Sequence, residues 1–86
     1  MTDEKRIIVY ATAWCPDCLR ARRVLDENKV QYQFVDIDKD TKAKEYVMSV
    51  NHGNRSVPTI VFPDGSILVE PSSSILTAKL RDSGLV

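Results

Sequence analysis

The first half of the chain places short apolar runs on either side of an amphipathic segment. Residues 7–11 are rich in β-branched and aromatic side chains, which predicts a strand covered on both faces. Apolar positions on one side of the segment that starts at Pro16 predict a helix over residues 16–28. Residues 31–37 predict a second strand, and this spacing implies a parallel, right-handed crossover whose carboxyl edge faces the ligand.

The second half predicts a helix followed by a hairpin. Asp40 can cap a helix that runs to about Val50, with a stripe of apolar residues that is expected to be core. The apolar run at residues 59–62 predicts a third strand. Residues 63–66 have the composition of a turn, which leads into a fourth, antiparallel strand at residues 67–69.

The chain closes with one further predicted helix. Ser72, Ser73 or Ser74 can cap it, and Gly84 can end it. The resulting order is β-α-β-α-β-β-α, with no internal repeat and no linker. A chain this short buries only ~60% of its unfolded surface, so residues 1–86 are expected to form a single α/β domain.

Composition and charge narrow the possible partners. The chain is 43% hydrophobic and 28% charged, as in ordinary globular proteins, and no membrane span is expected. Its formal net charge is zero, so it lacks the basic excess of nucleic-acid-binding proteins, and no nucleic-acid partner is expected. Residues 1–6 show no apolar core of a secretory signal, which predicts a cytoplasmic, reducing location.

The two cysteines of the chain, Cys15 and Cys18, lie between the first predicted strand and the first predicted helix. Two thiols at this spacing can close a small disulfide ring. A cysteine at the start of a helix also meets unpaired backbone N–H groups and the positive end of the helix dipole, which favour its thiolate. Cys15 is therefore the expected nucleophile, and Cys18 is the expected resolving thiol.

Zinc is the natural alternative for a Cys-x-x-Cys pair. A structural zinc ion needs four ligands, and His52 is the one further soft candidate in the chain, so no metal site is expected. Trp14, directly before the nucleophile, is expected to form an apolar rim for the substrate. The negative charge of Asp17 should oppose the Cys15 thiolate, while Arg20 and Arg22 partly offset it.

The Cys-x-x-Cys pair, the Val57-Pro58 step before the third strand and the order of elements together resemble the glutaredoxins of the thioredoxin superfamily. Within that family the chain is most similar to actinobacterial mycoredoxin-type proteins. This similarity lies in Ala13-Trp14-Cys15, Leu19-Arg20, residues 51–59 and Pro71-Ser72. The resemblance implies a thioredoxin-like fold, in which a four-stranded mixed sheet is flanked by three helices. It also implies an exposed reactive cysteine at the start of the first helix and a cis peptide bond between Val57 and Pro58.

The resemblance further implies roles for residues around the cysteines. The backbone N–H and C=O of Val57 would pair with an extended thiol peptide. Arg55 matches a basic residue that binds the carboxylate of the small thiol in many glutaredoxins. The candidate substrate-binding or thiol-binding residues are Thr12, Trp14, Pro16, Arg55, Ser56, Val57, Pro58, Ser72 and Ser73.

Two departures from the glutaredoxin pattern concern the small thiol. Thr12 stands where typical glutaredoxins place a lysine that contacts the carboxylate of glutathione. Residues 70–73 replace a Gly-Gly motif whose acidic residue holds the glutathione amino group, although the first N–H groups of the last helix can still bind a carboxylate. The small thiol therefore stays open between glutathione, mycothiol and related compounds.

Three functions follow as hypotheses. The first is a glutaredoxin-type thiol–disulfide oxidoreductase, with no bound cofactor, that reduces mixed disulfides or disulfides of proteins with a low-molecular-weight thiol as co-substrate. The second is a thioredoxin-like electron donor that is reduced by a flavoprotein thioredoxin reductase. The third is a non-catalytic zinc or iron–sulfur module. The expected partners are disulfide-containing proteins, and the protein is expected to be a monomer.

Overall fold

A computed structural model describes residues 6–85 of the protein. Its elements are β1 (Ile7–Ala11), α1 (Pro16–Glu27), β2 (Tyr32–Asp36), α2 (Thr41–Val50), β3 (Thr59–Val61), β4 (Ile67–Val69) and α3 (Ser73–Asp82). This order is the one predicted from the sequence. The expectation about a secretory signal concerns residues 1–6, of which residues 1–5 lie outside the described residues.

The four strands form one mixed sheet in the order β2-β1-β3-β4. β1 and β2 are parallel, in a register that runs from Ile7 opposite Tyr32 to Ala11 opposite Asp36. β3 is antiparallel to both β1 and β4. The predicted parallel pairing of the first two strands and the predicted antiparallel hairpin are therefore both confirmed, and the right-handed sense of the crossover stays a prediction. Because β1 and β2 are parallel, the loops that follow Ala11 and Asp36 emerge at the same edge of the sheet.

Local side-chain signals set the starts and ends of α2 and α3. The carboxylate of Asp40 accepts a hydrogen bond from the Ala43 N–H at 3.0 Å and caps α2. Ser72 is the serine that caps α3, since its hydroxyl oxygen accepts from the Ile75 N–H at 3.2 Å. α3 runs to Asp82 and has Ser83 as its C-cap, and the predicted stop residue Gly84 follows with a φ of 71° that a residue with a side chain rarely takes.

Three elements are slightly shorter than predicted, and one of them is β3, which ends at Val61 instead of residue 62. α1 ends at Glu27, because Asn28 already turns out of the helix and its side-chain amide donates to the Val24 carbonyl at 2.8 Å. β2 covers residues 32–36, one residue shorter at each end than the predicted strand.

The two faces of the sheet are covered unequally. α1 and α3 pack on one face, where Ile7 and Val9 of β1 are buried. α2 alone covers the other face, so that Ile8 and Tyr10 are only half-buried. The prediction that β1 is covered on both faces is thus correct for one face and only partly correct for the other. None of the helices within residues 6–85 has the length and apolarity needed to cross a membrane.

Candidate active site

The loop between β1 and α1 places Cys15 at the start of the helix. Cys15 is the N-cap residue, with extended backbone angles, and Pro16 occupies the first helical position as predicted. The carbonyl of Cys15 accepts a hydrogen bond from the Leu19 N–H at 3.1 Å, which is the first bond of the helix. No side chain caps the N–H groups of the first turn, so the positive end of the helix dipole is available to the Cys15 sulfur.

Both cysteines are reduced, and both are buried. Cys18 has no exposed surface, as expected for a thiol one turn inside the helix, and it belongs to the core cluster beneath α1 and α3. The expectation that Cys15 is exposed was wrong, since only 8% of its surface is accessible. Cys15 packs into the same apolar cluster, so a substrate disulfide has to approach its sulfur through the surrounding loops.

The surroundings of Cys18 hold its proton tightly. The pKa of the Cys18 thiol is raised to about 12, chiefly by burial and also by the neighbouring Cys15 thiol. The backbone N–H and the hydroxyl of Thr12 act in the opposite direction. At neutral pH, Cys18 is therefore a protonated thiol that can donate a hydrogen bond to the sulfur of Cys15.

Thr12 lies inside the molecule rather than on its surface. Its side chain is 3% exposed, and its hydroxyl oxygen has no hydrogen-bond partner that meets ordinary distance and angle limits among the described residues. The hydroxyl is nevertheless close enough to the Cys18 sulfur to lower the pKa of that thiol. The sequence analysis identified Thr12 as the replacement of a lysine and as a candidate thiol-binding residue, but it gave no indication of this buried position.

The loop before β3 brings a second backbone segment to the cysteines. The peptide bond between Val57 and Pro58 is cis, as the resemblance implied. The Pro58 carbonyl accepts a hydrogen bond from the Glu70 N–H at 2.9 Å, and no backbone partner is found within residues 6–85 for the N–H or the C=O of Val57. An extended peptide could therefore pair with Val57, as the sequence analysis expected.

A cleft of about 150 Å³ opens beside the cysteine loop. Its walls are formed by Thr12, Trp14, Ile37, Asp38, Arg55 and Val57. The indole of Trp14 is 70% exposed, and its N–H donates to a carboxylate oxygen of Asp38 at 3.0 Å. Trp14 is thus a rim residue and not part of the core. Arg55 is exposed and forms no ion pair within residues 6–85.

The structure gathers four of the candidate binding residues, Thr12, Trp14, Arg55 and Val57, around this cleft. The other candidates, Pro16, Ser56, Pro58, Ser72 and Ser73, do not line it. The carbonyl oxygen of Ser56 instead accepts a hydrogen bond from the Thr59 hydroxyl at 2.7 Å. Ser72 is occupied by the cap of α3, so a carboxylate that reached this helix start would compete with its hydroxyl for the Ile75 N–H.

Sequence reasoning missed Ile37 and Asp38 as residues of the site. Ile37 was predicted as the last residue of the second strand, and Asp38, which follows it, contributes the carboxylate that accepts the hydrogen bond from Trp14. The signal that could have found them is their position directly after β2, at the carboxyl edge that was expected to face the ligand.

The charges on α1 differ partly from expectation. Arg20 forms an ion pair with Asp17 at the surface, so it offsets the negative charge next to Cys15 as expected. Arg22 forms no ion pair with Asp17, and its guanidinium lies 4.2 Å from the centre of the Phe34 ring. Within the described part of the chain no three His, Cys, Asp or Glu side chains come together in a group that could hold a metal ion.

A Cys-x-x-Cys pair at a helix start, opposite a cis-proline loop on a four-stranded mixed sheet, defines a thiol–disulfide oxidoreductase with a thioredoxin-like fold. The sequence model of the glutaredoxin family matches residues 7–67. The chain therefore belongs to the glutaredoxin family, and it is a glutaredoxin-like thiol–disulfide oxidoreductase.

Two relatives show how far the similarity extends. A Mycobacterium tuberculosis protein provisionally named a glutaredoxin is 47% identical over 74 residues, which cover 86% of this chain and 88% of that protein. Mycoredoxin 1 of Corynebacterium glutamicum is 40% identical over 75 residues, which cover 87% of this chain and 92% of that protein. The similarity to the mycoredoxin type that the sequence indicated is thus confirmed.

Solved structures show the same fold. The thioredoxin-like protein BC3987 superposes with a TM-score of 0.74 at 29% identity, covering 85% of this chain and 97% of its own. A glutaredoxin from Archaeoglobus fulgidus superposes with a TM-score of 0.72 at 25% identity, covering 90% and 87% of the two chains. Both likenesses extend over nearly all of each chain, so they concern the whole arrangement of sheet and helices.

Proposed function

We propose that the protein reduces mixed disulfides of proteins with a low-molecular-weight thiol in a cytoplasmic, reducing compartment. The observation that carries this proposal is the cleft beside the cysteine loop, because its lining includes the exposed indole of Trp14 and the guanidinium of Arg55, which forms no ion pair within residues 6–85. A guanidinium binds a carboxylate with charge-assisted hydrogen bonds, so Arg55 would hold the acidic end of the thiol.

The reaction follows from the positions of the two sulfurs. The Cys15 thiolate attacks the sulfur that belongs to the small thiol in the mixed disulfide. The disulfide of the substrate breaks, the protein sulfur leaves as a thiolate and takes up a proton, and the small thiol remains joined to Cys15. A second molecule of the small thiol, as its thiolate, then attacks that bond, which releases Cys15 and a disulfide of two small thiols.

Cys18 provides a second route from the same intermediate. Its sulfur attacks Cys15, which closes the ring between Cys15 and Cys18, and the small thiol leaves with the proton that Cys18 gives up. Protein disulfides would be reduced through the same ring. The high pKa of Cys18 keeps it out of the first attack, because a protonated thiol is a poor nucleophile.

The test compares carrier proteins that bear mixed disulfides with glutathione, mycothiol or bacillithiol. We expect the wild-type protein and Cys18→Ser to reduce one of these in preference to the others when the matching thiol is supplied. Arg55→Gln should raise KM for that substrate about tenfold with little change in kcat, since about 1.4 kcal/mol of binding corresponds to a factor of ten. Equal activity of Arg55→Gln and wild type would contradict the role of Arg55.

Arg23→Gln is the matched control for Arg55→Gln. Arg23 is also exposed, but it lies on the outer surface of α1 and lines a different, shallow depression together with Leu19 and Glu27. Its substitution removes the same charge from the protein without touching the cleft. We expect it to leave KM unchanged, so any general effect of net charge would appear in both variants.

A second candidate function is that of a thioredoxin-like electron donor that a flavoprotein reductase reduces. The observation that favours it is the buried resolving thiol, which gives the site a complete dithiol cycle. Incubation with a thioredoxin reductase and NADPH distinguishes the two candidates. Reduction by the reductase, lost in Cys18→Ser and accompanied by no activity with any small thiol, would replace the first proposal by the second.

A further inference from the structure

A buried hydroxyl at the start of β3, that of Thr59, ties together the loop that precedes the strand. The hydroxyl of this fully buried residue donates to the Ser56 carbonyl at 2.7 Å and accepts from the side-chain amide of Asn51 at 3.1 Å. The same amide donates to the Val47 carbonyl at 2.8 Å, in the last turn of α2. These hydrogen bonds, which we call the loop network, connect residues 51–58 to the end of α2 and to β3.

The loop network ends on the peptide unit that joins Ser56 to Val57. This unit is trans, so its C=O and its N–H point in opposite directions within one plane. Because the Thr59 hydroxyl holds the carbonyl end, the N–H of Val57 points away from that hydroxyl. No backbone partner for this N–H is found within residues 6–85. Val57 lines the cleft beside the cysteine loop, whereas Ser56 and Thr59 do not.

Apolar packing alone does not determine the orientation of this peptide unit. The side chain of Val57 packs against the clusters of buried residues on both faces of the sheet, which fixes the position of its Cα atom. The plane of the preceding peptide unit can still rotate, since the dihedrals on either side of it are soft. The hydrogen bond from Thr59 to the carbonyl end removes this freedom. It also polarises the unit, which strengthens the N–H of Val57 as a donor.

We infer that Thr59 is a positioning residue, whose hydroxyl orients this peptide unit so that the Val57 N–H is preorganised to donate to the small thiol in the cleft. The inference rests on the proposed function, since it assumes that a small thiol occupies the cleft. Thr59 does not line the cleft, so it acts through the backbone of Val57. A donor that is already oriented loses little freedom when its partner arrives, which favours binding.

The experiment measures hydrogen exchange at the Val57 amide by NMR, with and without an attached small thiol. Glutathione, mycothiol and bacillithiol are each offered to Cys15 as a mixed disulfide in the Cys18→Ser background, which prevents ring closure. We expect the attached thiol to slow exchange at Val57 about tenfold, which corresponds to a hydrogen bond of about 1.4 kcal/mol. Thr59→Val keeps the shape of the side chain but removes the hydroxyl, and it should abolish this slowing.

Two variants in the same background control for a general loss of stability. Thr59→Ser keeps the hydroxyl and is expected to retain most of the slowing at Val57. Asp40→Ala also removes a hydrogen bond of α2, but at the opposite end of the helix from Asn51, so it should retain the slowing in full. A merely structural role of Thr59 would lower the stability of Thr59→Val and leave the effect of the thiol on Val57 in place.

Asn51→Ala carries the test if the valine variant does not fold. It removes the donor that fixes the Thr59 hydroxyl, so that the hydroxyl can rotate away from the Ser56 carbonyl. The slowing of exchange at Val57 should then fall from about tenfold to about threefold, since one member of the network remains. Undiminished slowing in Asn51→Ala would overturn the inference in that case.

The remaining outcomes separate this inference from the proposed function. Equal slowing in Thr59→Val and in the protein with Thr59 would overturn the role of Thr59 and leave the proposed function intact. No slowing at Val57 when Thr59 is present would mean that this N–H does not bind the thiol, which overturns the inference while thiol exchange at Cys15 stands. If none of the three thiols forms a mixed disulfide with Cys15, the proposed function is overturned, and the inference with it.

Discussion

At the scale of single residues, the two buried threonines within residues 6–85 have opposite hydrogen-bonding environments. Thr59 is fully buried, and its hydroxyl both donates to the Ser56 carbonyl at 2.7 Å and accepts from the Asn51 amide at 3.1 Å. The hydroxyl of Thr12 has no such partner in the described part of the chain. The same substitution at these two positions therefore separates the effect of a satisfied hydroxyl from that of an unsatisfied one.

We expect Thr12→Val to raise the free energy of unfolding of the reduced protein by about 1 kcal/mol, since it removes an unpaired buried hydroxyl. Thr59→Val should lower that free energy by about 1–3 kcal/mol, because it leaves the partners of the hydroxyl unpaired. Urea unfolding under reducing conditions measures both values. A loss of stability in Thr12→Val would mean that its hydroxyl has a partner in the reduced protein.

The buried thiol of Cys18 makes the stability of the reduced protein depend on pH. Its pKa is raised from 9.0 to about 12, chiefly by burial, so the folded state resists ionisation. The stabilising contribution is complete below pH 9 and declines as the pH rises toward 12, by about 1.4 kcal/mol per pH unit. Cys18→Ala should lack this decline when the two proteins are unfolded by urea, without oxygen, between pH 8 and about 11. Parallel curves for the two proteins would contradict the assignment.

At the scale of elements, the caps of the helices were readable from the sequence because they are local. Asp40 caps α2 through an N–H three residues away, and Gly84 ends α3 within the same turn. The serine that caps α3 was not readable, since Ser72, Ser73 and Ser74 all have the same hydroxyl. The path of the chain after Pro71 decides between them, and the sequence contains no direct signal of that path.

The cap of α2 provides a prediction at this scale. Asp40→Ala removes the acceptor of the Ala43 N–H and should lower the free energy of unfolding by about 1 kcal/mol. Asp40→Asn keeps an oxygen acceptor at the same position and should retain most of that stability. Thermal or urea unfolding of the two variants checks the difference. If both lose the same amount, the charge of Asp40 matters more than its hydrogen bond.

At the scale of the whole molecule, the sheet separates a two-helix face from a one-helix face. Adjacent residues of β1 lie on opposite faces of the sheet. Ile7 is 1% exposed beneath α1 and α3, whereas Ile8 is half-buried on the side of α2. Ile7→Val should lower the free energy of unfolding by about 1 kcal/mol, within the usual range for this substitution in a core. Ile8→Val should cost less than half as much in urea unfolding. Equal losses would show that both faces are packed alike.

The order and direction of the elements could be predicted from the sequence. The residues that surround the two cysteines could be predicted only in part. Element order and strand direction depend on periodicity, turn residues and short connections, all of which are visible along the chain. The burial of Cys15 and the contact of Trp14 with Asp38 depend on residues that are far apart in sequence and meet only after the sheet has formed. No spacing in the chain encodes those contacts.

The hydrogen bond between Trp14 and Asp38 has a spectroscopic consequence. Trp14 is the single tryptophan of the chain, and its exposed indole stands at the wall of the cleft beside Cys15. Fluorescence excited at the red edge of the indole absorption band therefore comes from Trp14 alone. Emission intensity and wavelength can follow a small thiol entering the cleft in real time, in the unlabelled protein.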